Sequence, residues 1–178
     1  SIISGRIISR TGKYRLFPIL GTLLGVVGMV LLTRISITSP TWQLYLFTGV
    51  LGMGLGLVMQ VLVLAVQNAM PAQMYGVATS GVTLFRSIGG SIGVALFGAV
   101  FTHVLQSNLQ RLLPEGAQLP RALNPAAVQN LPAEIRLDYL DAFGSAIHAA
   151  FLMAAGIMAV AFVLSWLLKE APLKTATH

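Results

Sequence analysis

The chain has no cysteine among its 178 residues, which excludes disulfides, thiolate metal sites and cysteine nucleophiles. It is nearly as poor in charge. Asp and Glu together number 5, and all charged residues make up 9% of the sequence. A soluble domain carries about 25%, and a water-facing surface needs more charge than this chain owns. A soluble globular enzyme is largely ruled out on that ground. Recognisable catalytic and cofactor motifs are missing too. Gly52-Met-Gly54-Leu-Gly56 lacks the Gly-Lys-Ser/Thr ending of a phosphate loop. There is no nucleophile motif and no metal-ligand cluster, so no cofactor and no metal are expected. The 11 Lys and Arg residues are spread around apolar runs rather than gathered into a patch, which argues against nucleic acid.

What the chain has is apolar length. Hydrophobic residues are 56% of it and its mean hydropathy is +0.81. A membrane-spanning helix needs about 20 mostly apolar residues. Four such runs occur, at about residues 16–33, 42–70, 79–105 and 147–168. The runs are continuous rather than alternating, so helices are expected and a barrel is not. The fold class read from this pattern is all-α, an integral membrane protein with four transmembrane helices and the lipid bilayer as its surroundings. Orientation follows from Lys and Arg near the span ends. Arg6, Arg10, Lys13 and Arg15 precede the first span, and Lys169 and Lys174 follow the last. Four spans place both ends on one side, and the basic run makes that side cytoplasmic. Residues 1–15 are then a cytoplasmic loop, 106–146 an extracytoplasmic segment, and 169–178 a cytoplasmic tail. Within the outer segment, Pro114, Pro120 and Pro125 mark irregular chain. Asn130 and Pro132 suit a helix start. Ile135, Tyr139, Leu140, Phe143 and Ile147 then fall at helical spacing, so a helix from about residue 133 is predicted, lying along the interface or running straight into the fourth span.

Helices in lipid lack a hydrophobic drive to associate and rely on small residues for close packing. Gly21 and Gly25 in span one, Gly52 and Gly56 in span two, and Gly89 and Gly93 in span three are the candidate packing positions. Clusters such as 52–56 would also suit a bending segment, since glycine weakens a helix by about 1 kcal/mol relative to alanine. Polar groups inside spans are costly and therefore informative. Arg86 is the one charge within a span, on the order of 10 Å inside the cytoplasmic end of span three. It either pairs with carbonyls or an acid elsewhere or lines a polar cavity. Gln60 and Gln67 stand seven residues apart on one face. With Asn68 they line a substrate path or bond to neighbouring helices. No Asp or Glu lies in a span, so a coupling carboxylate for proton transport is not carried here. His103 and His148 sit singly near span ends, where an interfacial histidine is commoner than a metal ligand.

Two stretches resemble a known family. Gly5-Arg-Ile-Ile-Ser9-Arg10-Thr-Gly12-Lys13-Tyr-Arg15 is similar to the cytoplasmic loop signature of the major facilitator superfamily, matched at Gly5, Arg10, Gly12, Lys13 and Arg15, with Ser9 at the position of its Asp. Ala65-Val-Gln67-Asn-Ala-Met-Pro71, Gly76-Val-Ala78-Thr-Ser-Gly81 and Phe85-Arg86-Ser-Ile-Gly89-Gly90-Ser-Ile-Gly93 resemble the late spans of fourteen-span drug:proton antiporters of the EmrB/QacA type. Tyr139-Leu-Asp141-Ala-Phe143 also fits that group. The resemblance covers nearly the whole chain. It implies the last four of fourteen spans, hence a C-terminal fragment in a cell membrane (inner or plasma) whose partners include the remaining spans of the same transporter. It further implies alternating access around a midplane site, and export of hydrophobic, often cationic compounds against proton entry, with the coupling residues outside this segment. The signature loop would then brace the inner helix ends. Span one would pack at the periphery, and spans two and three would face the cavity through Gln60 and Arg86. The alternative is a self-contained four-span scaffold or assembly subunit that oligomerises by its small-residue stripes.

Overall fold

The computed structural model describes residues 14–36, 39–112 and 133–168. These fold as four α-helices, with no strand among the described residues. Helix α1 is Leu16–Leu32 and α2 is Thr41–Ala69. A single 3-10 turn, Ala72–Met74, leads into α3, Tyr75–Leu112, and α4 is Ala133–Ser165. Such apolar runs become helices because a helix satisfies every backbone polar group within its own segment. Pro18 is tolerated as the third residue of α1, where its missing N–H has no intrahelical acceptor to lose. Pro71 ends α2 by forcing its predecessor out of helical geometry, and Met70 is extended at φ −107°, ψ 156°.

Three stretches are long and apolar enough to cross a membrane: Thr41–Ala69, Ala72–Arg111 and Arg136–Ser165. Helix α1 is apolar throughout but only 17 residues long, close to the lower limit for a span. The chain is thus a multi-pass, all-α membrane protein. One element differs in extent from the sequence reading. Helix α3 starts at Tyr75 rather than near residue 79, because the turn after Pro71 passes directly into helix. Arg86 is therefore eleven residues along it, about 16 Å, deeper than the first reckoning. Helix α4 is continuous from Ala133, with no break before residue 147.

The helices pack as a ring. Helix α1 lies against both α2 and α4, α4 lies against α3, and α3 adjoins α2 across the short turn. Neighbours run antiparallel. Gly28 approaches Leu51 while Gly21 approaches Gly54 and Val58, and Tyr14 packs in one cluster with Val61, Ala65 and Leu168. The first and last described residues therefore lie at the end of the ring that holds the α2–α3 turn. At the opposite end, Leu105 and Leu109 of α3 pack on Tyr139, Ala142 and Ala146 of α4. Phe101 and Phe143 meet there edge to face at 5.3 Å, a favoured aromatic geometry.

Glycine sets the α1–α2 spacing. A Cβ placed on Gly21 would stand 2.7 Å from the Gly54 carbonyl oxygen, and one on Gly54 would stand 2.6 Å from the Gly21 oxygen. Gly25 instead abuts the Met158 side chain of α4. Gly52, Gly56, Gly89 and Gly93 meet nothing within 4 Å. Their faces are open among the described residues, on α2 because it turns its Gly54 side, not its Gly52–Gly56 side, toward α1.

Candidate functional site

The joint between α2 and α3 is where the spans gather their polar groups. The two helices are joined through residues 70–74 at one end, and two clefts that share Val77 and Gly81 open along α3. One cleft, about 1080 Å³, is lined by Gln67, Tyr75, Thr79, Ser80, Thr83 and Ser87 together with Val77, Leu84 and two glycines. Gln67 Nε2 donates to Thr79 Oγ1 at 2.8 Å, and the same hydroxyl donates to the Tyr75 carbonyl at 2.8 Å. The Thr79 oxygen thus accepts one bond and donates its single proton, which fixes its rotor. Thr83 donates to the Thr79 carbonyl at 2.9 Å, and Ser91 to the Ser87 carbonyl at 3.0 Å. Bonding back to the preceding turn is how hydroxyls are satisfied on an apolar helix, and it loosens that helix slightly. The result is a hydroxyl ladder along one face of α3.

The second cleft, about 600 Å³, is almost wholly apolar. It is lined by Leu55, Met59 and Leu62 of α2, by Met70 and Met74 of the turn, and by Val77, Val82, Phe85 and Arg86 of α3. Among the described residues Arg86 makes no hydrogen bond or ion pair, and it is exposed.

The sequence candidates are thereby divided. Gln67 is tied into the hydroxyl cleft and Arg86 borders the apolar one. Gln60, on the same face of α2 as Gln67, is exposed and lines neither. Asn68 is buried at 8% exposure, on a different face of α2. The hydroxyl ladder was not singled out from the sequence. Its signal was the four-residue spacing of Thr79, Thr83, Ser87 and Ser91, diluted by the surrounding glycines.

The loop signature can be followed only at its last position, since Gly5, Arg10, Gly12 and Lys13 lie outside the described residues. Arg15 Nη2 donates to the Trp166 carbonyl at 2.7 Å, where α4 ends. The carbonyls of a helix's last turn lack intrahelical donors and carry the negative end of its dipole, so a guanidinium is well matched to them. The other end of α1 is fastened to α4 as well. His148 Nδ1 donates to the Thr33 carbonyl at 2.8 Å, which assigns the proton to Nδ1 because a carbonyl can only accept. Between them Thr22 donates to the Pro18 carbonyl at 2.7 Å and lies 3.4 Å from Ser165 Oγ. His148 is therefore used as a latch between helices. No group of three or more metal-ligating side chains occurs among the described residues.

Comparison with known proteins points one way. The chain is 40% identical over 96% of its length to an uncharacterized MFS-type transporter of Mycobacterium tuberculosis. It is 30% identical, again over 96%, to a vacuolar membrane amino acid uptake transporter of Schizosaccharomyces pombe. It is 35% identical over 72% to a multidrug transporter protein of Bacillus subtilis. It spans 25%, 30% and 24% of these relatives' own lengths. No protein-family model and no solved structure matches it.

Proposed function

We propose, from the support these relatives give to the major facilitator superfamily, that the chain forms the last four spans of a fourteen-span, proton-coupled exporter of hydrophobic compounds. The relatives are named as transporters, a class without enzymatic chemistry, and those names support membrane transport for this chain. In this reading the protein sits in the cell membrane with both described ends cytoplasmic, and two helix bundles rock around a central site. The observation that carries the reading is the α2–α3 joint. Elsewhere in the ring helices are fastened by glycine contacts, aromatic pairs or carbonyl latches. At the joint they are held by a short turn and the Gln67–Thr79 bond, and the hydroxyls, Gln67 and Arg86 collect there. A helix pair that lines a substrate path needs polar groups at membrane depth and freedom to separate.

The test uses the full-length protein in everted vesicles. Dye export should follow an imposed proton gradient, collapse with a protonophore, and fall several-fold in Arg86→Ala at equal expression. Transport that ignores the protonophore would remove the coupling. Unchanged transport in Arg86→Ala would remove the role of the cleft.

A further inference from the structure

We infer that the apolar cleft bordered by Arg86 binds the acidic group of a lipophilic anion, a small-molecule substrate with a carboxylate, sulfonate or phosphate on an apolar body. The inference deepens the proposed function by naming a substrate class. It also departs from the cationic compounds that the family resemblance implied.

The argument is one of charge, shape and depth. Leu55, Met59, Leu62, Met70 and Phe85 give the cleft an apolar lining, and its volume is about 600 Å³. That lies in the range of small-molecule sites, which are mostly apolar with a few placed polar groups. Methionines lend such a wall adaptability to different shapes. The single charge present is the Arg86 guanidinium, and no Asp or Glu lines the cleft. The described acids, Asp138 and Asp141, belong to the first turns of α4, which pack at the far end of α3. Beside an apolar wall, a guanidinium that has no partner among the described residues repels a cation and gains from an anion. Its planar fork matches carboxylate, sulfonate and phosphate oxygens in pairs.

Depth separates a substrate from a membrane lipid. The midpoint of Ala72–Arg111 falls between residues 91 and 92, so Arg86 is about five residues, roughly 8 Å, from it. Lipid headgroups begin about 15 Å from the bilayer centre. A phospholipid seated in its leaflet keeps its phosphate above Arg86, whereas a small amphiphile can bring its acid to that level.

The experiment measures binding to the full-length protein in nanodiscs, so it can fail while transport stands. The probes are 1-pyrenebutyrate and 1-pyrenebutyltrimethylammonium, one apolar body with opposite charges. Energy transfer from tryptophan reports occupancy. Arg86→Gln should weaken pyrenebutyrate at least tenfold and leave the ammonium probe within twofold, and Arg86→Lys should recover part of the loss. Gly81 lines the cleft, and a Cβ added there meets nothing within 4 Å. Gly81→Leu therefore attaches without a clash at its Cβ, puts apolar bulk into the cleft and should abolish pyrenebutyrate binding. Nanodiscs of phosphatidylglycerol should not compete more than those of phosphatidylcholine. Equal loss of both probes in Arg86→Gln, or no loss of either, would overturn the inference. So would unchanged pyrenebutyrate binding in Gly81→Leu, or competition by the anionic lipid.

Discussion

Replacing the interface glycines by alanine one at a time should give unequal costs, ordered by what each new methyl meets. At Gly54 the added carbon would stand 2.6 Å from the Gly21 oxygen and 2.8 Å from the Gly25 nitrogen. At Gly28 it would stand 2.9 Å from Leu51 Cα and N. Both neighbours are backbone, so relief requires α1 and α2 to separate as bodies. At Gly25 the obstacle is the Met158 side chain, whose Cε lies at 2.9 Å and can swing away through three torsions. Forcing extra atoms into a packed interface costs about 1–3 kcal/mol, and the backbone clashes belong at the upper end. Alanine returns about 1 kcal/mol through helix propensity. Gly54→Ala and Gly28→Ala should therefore each lose about 2 kcal/mol, and Gly25→Ala should stay within about 0.5 kcal/mol of the parent. The assay is reversible unfolding of the purified full-length protein in mixed micelles, titrated with denaturing detergent. If Gly25→Ala costs as much as Gly54→Ala, the distinction between backbone and flexible neighbours fails, and the glycine contacts do not set the α1–α2 spacing.

Other outcomes follow from single contacts. Arg15→Gln should lower the melting temperature, because the α4 terminal carbonyl loses a charged donor; the bond is solvent-exposed, so the loss is about 1 kcal/mol, and Arg15→Lys should restore part of it. A double-mutant cycle of Gln67→Leu and Thr79→Val should show a coupling of about 0.5–1.5 kcal/mol, and additivity within error would mean that their hydrogen bond contributes nothing. Ala146 has 0% exposure against α3, so Ala146→Leu should cost about 1–3 kcal/mol in the same titration, whereas leucine at the exposed Ala99 should be tolerated.

The helices were legible because lipid leaves few choices. Apolar runs of sufficient length must be helical, and Pro71 had to stop one of them. Exact extents were less legible. Helix α3 begins at Tyr75 because the chain after Pro71 re-enters helix at once, and nothing in the composition of residues 75–78 distinguishes early helix from turn. The packing glycines were half legible. Spacing of four residues marks a stripe, but α2 carries glycines on more than one side, at 52, 54 and 56, and only the neighbour decides which side is used. Gly54 faces Gly21, so Gly52 and Gly56 are left open. Gln67 was marked by its rarity inside a span, yet its partner Thr79 was hidden because hydroxyls are cheap in helices and attract little notice. Arg86 stood out for the same reason as Gln67, whereas the apolar walls that give it meaning are made of residues any span contains.

The distribution of polar contacts follows from what each helix must keep fixed. Helix α1 has one buried face of Pro18, Gly21, Thr22, Gly25, Gly28 and Leu32, with large aliphatic residues such as Leu20 and Val27 exposed. Its polar bonds to α4 are made at its ends, by Arg15 and His148. Bonds at both ends of a contact resist tilt and slide more than the same number at its middle, so α1 and α4 are tied as one unit, and the Gly21–Gly54 contact adds α2 to it. Helix α3 is different. Along its first half the exposed residues include Val77, Leu84, Phe85, Ile88 and Ile92, and its hydroxyls donate to carbonyls of their own helix, while Thr79 also accepts from Gln67 of α2. A helix so satisfied in itself can change partners at low cost, because of the bonds described its hydroxyls give up only the one from Gln67 to Thr79. That property, joined to packing on α4 through Phe97, Phe101, Leu105 and Leu109, suits the N-terminal half of α3, in the proposed transport cycle, to move against the rest of the ring with the α2–α3 turn as its pivot.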